Sequence, residues 1–215
     1  MTIRADGLLI SIDGLGGVGK TTTIDHLATL LTDAGRPDHR TAQPSTGPIG
    51  ALACDLVPTA GGATLACLFA ADRYHHLDTE IRPRRDSGHI VLCDRYLASG
   101  LVVQRADGLD LAFLAAVNDR ADRPDLVVIL TAAPETIAGR LAARGVHNRY
   151  QGSPALAAAE ISYYRDAAAH LERLGVPVLW IDTTHTPADQ VAERIASAIS
   201  DPRRITPAAS GKAAR

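Results

Sequence analysis

Cysteine is scarce in this 215-residue chain, and Cys54, Cys67 and Cys93 form an odd set without the spacing of metal ligands. They read as small, buried apolar residues in a reducing compartment. Net charge is equally scant: 22 Lys and Arg against 24 Asp and Glu leave −2. That balance gives no support for a general nucleic-acid or membrane-surface role. Recognition of phosphate would therefore have to come from local arginines. No apolar stretch is long enough to span a bilayer. The N-terminus lacks the basic region and apolar core of a signal peptide. His75, His76, His147, His170 and His185 show no metal-ligand spacing. The expectation is one compact cytoplasmic domain with a sizeable core.

What is present is concentrated in one stretch. Gly14-x4-Gly19-Lys20-Thr21 is a Walker A pattern, a loop whose backbone N–H groups wrap the phosphates of a nucleotide. The apolar run Gly7–Ile12 precedes it with the brevity of a buried parallel strand. Ile24, Leu27, Leu30 and Leu31 follow at helical spacing. A strand–loop–helix context is what the motif requires. The loop amides and the positive end of the helix dipole favour bound anionic charge. Lys20 is expected to reach the β- and γ-phosphates of ATP, and the Thr21 hydroxyl to bind Mg²⁺. Gly14, Gly17, Gly19 and Thr22 complete the expected phosphate cradle.

Further along, short apolar runs alternate with helical patterns. A weak strand is expected near 38–42, then buried strands at 89–93, 125–130 and 177–181. Helices are expected over 49–57, from Gly62 to about Arg85, over 97–104, 109–120, 134–144, 154–174 and 187–199. Strands alternating with helices imply an α/β fold with a parallel sheet covered on both faces. Ligands in such folds sit beyond the carboxyl ends of the strands. The Walker A loop and Asp94-Arg95-Tyr96 both fall there. Residues 1–200 read as one domain, with a polar Gly-flanked loop at about 145–153, and residues 201–215 as a frayed tail.

Three groups of side chains stand out. Asp94 ends an apolar strand, where it suits a Mg²⁺ partner or a helix N-cap. Arg95 beside it suits a phosphate, which it can grip bidentately. Phe69 and Arg73 stand four apart on one helix and share a face; they suit a stacked and anchored nucleobase, or an ordinary core ring and a solvated charge. Arg140, Arg144 and Arg149 suit a solvated helix face, or a lid that brings cations to a transferring phosphate. Tyr163 and Tyr164 read as packing residues.

Taken together, these pieces resemble the thymidylate kinase family, from about Leu8 to Ile199. The resemblance rests on the loop Ile12–Thr22, on Leu68-Phe-Ala-Ala-Asp-Arg73, on Val91-Leu-Cys-Asp-Arg-Tyr96 with Ala98-Ser99-Gly100, and on Arg140–Gly145 with Asn148-Arg-Tyr150. It implies a P-loop kinase fold: a five-stranded parallel sheet with helices on both faces and a short lid at about 145–153. It also implies a homodimer that moves the γ-phosphoryl group of ATP·Mg²⁺ onto a nucleoside monophosphate. By the same resemblance, Lys20, Asp94, Arg95, Arg144 and Arg149 are catalytic, and Arg140 joins the ATP-binding loop. Asp13, Phe69, Arg73, Arg95, Ser99, Gly100 and Val103 face the acceptor, while Thr21 and Asp94 serve the metal.

Three departures from the family pattern all touch the acceptor. Gly16 stands where an acidic residue usually approaches the acceptor's sugar hydroxyl. Thr41-Ala-Gln-Pro44 replaces an Arg- and Glu-bearing turn. Val103 replaces an aromatic that crowds the sugar's 2′ position. The expected acceptor is thus dTMP or a related pyrimidine nucleotide. The alternatives are a nucleoside or small-alcohol kinase on the same fold, with Asp94 as general base, and a switch or partition ATPase. The lysine that such ATPases add to this loop would fall at Leu15, where it is absent.

Overall fold

The computed structural model describes residues 7–144 and 154–201. Its strands are β1 (Leu8–Gly14), β2 (Asp38–Ala42), β3 (Ile90–Asp94), β4 (Leu126–Thr131) and β5 (Val178–Asp182). The helices before β4 are α1 (Lys20–Asp33), α2 (Pro48–Leu56), α3 (Gly62–His76), α4 (Arg82–Asp86), α5 (Leu97–Gly100) and α6 (Leu111–Asn118). Those after it are α7 (Pro134–Arg144), α8 (Pro154–Arg173) and α9 (Ala188–Ser200). All strands are parallel, in the order β2-β3-β1-β4-β5.

Burial follows position in that sheet. Every residue of central β1 is buried, and β3 and β4 are unbroken apolar runs, as strands covered on both faces must be. Edge strand β2 reads Asp-His-Arg-Thr-Ala and is half exposed, which suits a strand with one side unpaired. On α9, Val191, Ile195, Ala198 and Ile199 recur at helical spacing and are buried, and α9 docks on α1. Each of the Val and Ile side chains contributes roughly 1.5–3 kcal/mol by leaving water.

Two expected helices are interrupted. The stretch from Gly62 is broken at Leu77–Ile81 by a π-helical turn, just before Pro83 in the first turn of α4. Proline cannot donate to the helix ladder and its ring crowds the preceding turn, so the wider turn accommodates it. The stretch 97–104 splits into the single turn of α5 and a 3₁₀ segment, Val103–Asp107. The cysteine expectation needs correction. Cys93 is buried in β3, but Cys54 and Cys67 are exposed on α2 and α3. No helix among the described residues is long and apolar enough to cross a membrane.

The strand order places β1 at the point where the chain turns from one half of the sheet to the other. Gly14 ends β1 level with Leu130 of β4, and Asp94 ends β3 level with Ile12. The crevice beyond these strand ends is where such sheets bind ligands.

Candidate active site

The loop after β1 folds tightly because of its glycines. Gly14 has φ 133°, and a Cβ there would lie 2.2 Å from the Leu130 carbonyl oxygen, so only glycine fits between β1 and β4. The chain then enters α1 at Lys20. Lys20 Nζ donates to the carbonyls of Gly14 (3.1 Å) and Leu15 (2.8 Å), closing the loop on itself. Burial, with a contribution from Arg95, lowers the Lys20 pKa to about 7 against the opposing pull of Asp94, Asp13 and Glu160. A bound polyphosphate would supply the negative charge that this ammonium lacks.

The Thr21 hydroxyl donates to Asp94 Oδ2 at 3.1 Å. Two oxygen donors at the mouth of the loop fit a small, hard Mg²⁺. No group of three or more His, Cys, Asp or Glu among the described residues could form a closed cage. Magnesium held by one or two side chains and substrate phosphates matches that donor set.

Beside the loop lies a cavity of about 310 Å³, lined by Gly17, Gly19, Thr22, Arg140, Thr183 and Val191 among others. Arg140 donates to Thr183 Oγ1 (3.1 Å) and to the Thr183 carbonyl (2.9 Å), and its guanidinium edge faces the Gly17 and Val18 carbonyls. It thereby ties α7 to the loop and to the end of β5.

A second cavity, of about 520 Å³, opens on the other side of the loop. Gly16, Phe69, Arg73, Arg95, Ser99, Gly100 and Val103 all line it, so the structure brings these residues together. Phe69 is half-buried. Arg73 is 4% exposed, not the solvated charge that its sequence context also allowed. Its guanidinium donates to Gln43 Oε1 at 2.9 Å, to Asn118 Oδ1 and to the Tyr96 carbonyl at 3.4 Å. All three acceptors are neutral, and burial pulls the Arg73 pKa below its ordinary value. Gly100 leaves room for it, since a Cβ there would lie 2.7 Å from Arg73 Nη2.

Arg95 lines the larger cavity and reaches back to the loop after β1. Its φ of 68° lies in the left-handed region, a strained conformation for arginine. Its Nη1 donates to the Gly14 carbonyl (3.0 Å), Ser99 Oγ (3.3 Å) and the Tyr164 hydroxyl (3.4 Å). Asp13, expected to face the acceptor, is fully buried beneath this turn. Its Oδ1 accepts from Tyr96 N, Ser99 N and Ser99 Oγ. Its role in the structure is to brace Arg95 and Ser99.

Sequence reasoning passed over several residues. Tyr164 is no mere packing residue: its hydroxyl lies 3.0 Å from Ser99 Oγ and reaches Arg95. Glu160, one turn earlier on α8, lines the larger cavity, and burial raises its pKa against Arg95 and Lys20. Gln104 follows Val103 and is 2% exposed. Its Nε2 has no hydrogen-bond partner among the described residues. Gln43, noticed only as a departure, is the partner of Arg73. Glu160 and Tyr164 stand four apart on one helical face, which was the available signal. The expected lid at about 145–153 with Arg149, the Arg144 side chain, and residues 202–215 of the expected tail lie outside the described residues.

A thymidylate kinase family model matches residues 12–194. The chain belongs to the thymidylate kinase family. A thymidylate kinase of Xanthomonas campestris is 41% identical over 144 residues, 65% of this chain. The chain spans 62% of that relative's length. A probable thymidylate kinase of Pyrobaculum aerophilum is 34% identical over 187 residues, covering 86% of this chain and 92% of that protein. The solved thymidylate kinase of Candida albicans, whose report describes a broad substrate specificity, shares the fold with a TM-score of 0.77. That match covers 93% of each chain at 23% identity. The thymidylate kinase family match begins at Ile12, inside β1, and ends on α9, so it takes in both cavities.

Proposed function

We propose that this protein transfers the γ-phosphoryl group of ATP to dTMP or a closely related pyrimidine nucleoside monophosphate. One observation carries the reading. Arg95 touches the Gly14 carbonyl of the nucleotide loop and the Ser99 hydroxyl of the larger cavity with the same guanidinium nitrogen. Donor and acceptor sites thus meet at one cation, as in-line phosphoryl transfer requires.

In this reading the loop amides, the α1 N-terminus and Lys20 hold the β- and γ-phosphates. Thr21 and Asp94 would hold Mg²⁺, which would neutralise phosphate charge when bound. Arg95 grips the acceptor's phosphate, Phe69 stacks on its base, and Arg73 meets the base edge. Ser99 and Gly100 line the pocket, and Val103 faces the sugar. Arg140 orders the donor side, with Arg144 and Arg149 closing over the transferring group. Catalysis is then positioning and charge neutralisation, with little acid–base chemistry.

A homodimer suits the apolar residues left exposed on α2 and α6, both of which pack on α3: Leu52 at 49% and Phe113 at 37%. Leu52→Asp with Phe113→Asp would then give a monomer by sedimentation. Two exposed cysteines without disulfides fit the reducing cytoplasm.

The deciding experiment is ADP release with dTMP, dUMP, UMP, CMP and sugar-modified analogues. Stimulation by a pyrimidine monophosphate is expected, and if none stimulates release the kinase reading fails. Within the same assay, Arg73→Ala is expected to raise the acceptor KM well above the ATP KM change.

A further inference from the structure

The acceptor cavity is connected to a hydrogen-bonded chain whose far end lies outside it. Glu80, on the π-helical turn after α3, accepts from His39 Nε2 at 2.9 Å and from Thr41. Burial alone would raise the Glu80 carboxyl pKa, but the bonds from Thr41 and His39 outweigh it and hold the group below the ordinary glutamate value. Thr41 Oγ1 lies 2.9 Å from His76 Nε2. His76 Nδ1 lies 3.3 Å from Gln43 Nε2, and Gln43 Oε1 accepts Arg73 Nε–H at 2.9 Å.

The ends of this chain are chemically one-way. A carboxylate only accepts and a guanidinium only donates, whereas a hydroxyl, a neutral imidazole and an amide do both. The direction of every middle link follows. Thr41 donates to Glu80, His76 donates through Nε2 to Thr41 and faces Glu80 Oε2 directly at 3.4 Å, and Gln43 donates through its amide nitrogen to His76 Nδ1. That leaves the Gln43 carbonyl for Arg73. His76 is 2% exposed and Gln43 is 6% exposed, so exchange with bulk water offers little alternative.

We propose that His76 is a positioning residue for the acceptor site. By accepting from the Gln43 amide nitrogen, it fixes which end of that amide meets Arg73, and so aims the Arg73 guanidinium. An amide has nearly the same shape in both orientations, and the flipped one would set a donor against the donor Nε–H of Arg73. No carboxylate forms an ion pair with Arg73 among the described residues. Its aim therefore depends on Gln43, and the aim of Gln43 depends on His76. This inference rests on the reading of the larger cavity as the acceptor site.

A four-variant kinetic series with ATP and dTMP tests it: His76→Leu, Gln43→Glu, their combination, and Arg73→Ala. In Gln43→Glu both carboxylate oxygens accept, so no orientation remains to be set. His76→Leu is expected to raise the dTMP KM by about ten-fold or more, the scale of a lost hydrogen bond to a charged group. The ATP KM should stay unchanged. In the Gln43→Glu background the same leucine substitution should leave the dTMP KM where Gln43→Glu alone puts it. An equal rise in both backgrounds would reduce His76 to a packing residue and overturn the proposal, as would no rise in either. His76→Phe, which also lacks an acceptor, replaces His76→Leu if the latter does not fold, with the same two outcomes. Should Arg73→Ala leave the dTMP KM unaltered, the acceptor reading itself fails. Should Arg73→Ala raise it while His76→Leu does not, only the positioning role fails.

Discussion

The Asp13 carboxylate and Ser99 are joined twice through one oxygen: Asp13 Oδ1 accepts the Ser99 hydroxyl at 2.6 Å and the Ser99 backbone N–H at 2.9 Å. The same oxygen accepts Tyr96 N at 3.1 Å. The residue at the root of the nucleotide loop thus holds the segment that directly follows Arg95, which takes a strained φ of 68°. Strain of this kind persists only where surrounding contacts over-determine it.

Asp13→Asn should therefore release Arg95. The amide keeps the size of the carboxylate but weakens bonds that are charge-assisted. The expected result is a fall in kcat of about ten-fold or more with the ATP KM little changed, measured by steady-state kinetics. Wild-type kcat in Asp13→Asn would refute the bracing role.

Lys20 links nucleotide binding to pH. Its folded, nucleotide-free pKa is lowered to about 7, mainly by burial, from 10.5. Above pH 7 most molecules must therefore take up a proton for the ammonium to meet a polyphosphate. ATP affinity should weaken as pH rises from about 7, with proton uptake detected by calorimetry in buffers of different ionisation enthalpy. Stability carries the opposite sign: the unfolded chain binds the extra proton, so this group makes the free protein more stable as pH climbs from about 7 towards 10.5. ATP binding without proton uptake at alkaline pH would contradict the assignment.

Gly100→Ala places a Cβ 2.7 Å from Arg73 Nη2. The guanidinium must move, and the change should raise the acceptor KM by about ten-fold while leaving the ATP KM alone. Parallel changes in both constants would mean that the substitution had disturbed the fold and not the acceptor pocket.

Val103 lines the larger cavity at the start of the 3₁₀ segment. A tyrosine there should disfavour ribonucleotides relative to deoxyribonucleotides, read as the ratio of kcat/KM for UMP and dUMP. Equal losses for both would remove the sugar-pocket role.

How much of this was legible before folding differs by element. The strand and helix order follows from apolar periodicity, and even polar β2 falls on the expected 38–42. Lys20 and Thr21 are read from the loop motif because they stand beside its glycines in the chain, whereas the bond from Thr21 to Asp94, 73 positions away, belongs to the fold. Tyr164 packs in the core as expected, but nothing on α8 announces that its hydroxyl also meets Ser99, 65 positions away. Cys54 and Cys67 were misread because a small residue on a helix carries no signal of which face it occupies.

The sequence by itself determined the nucleotide loop, the parallel sheet and the family, since all three are written as local spacing. The folded structure decided how the larger cavity is held: Arg73 on Gln43, Ser99 on Asp13, and Arg95 on Ser99 and Tyr164. Those contacts join β1, the turn after β2, α3, α5 and α8, which meet only when the sheet has placed its strand ends side by side. A buried guanidinium takes its bearing from whichever oxygens surround it, and that set exists only in three dimensions.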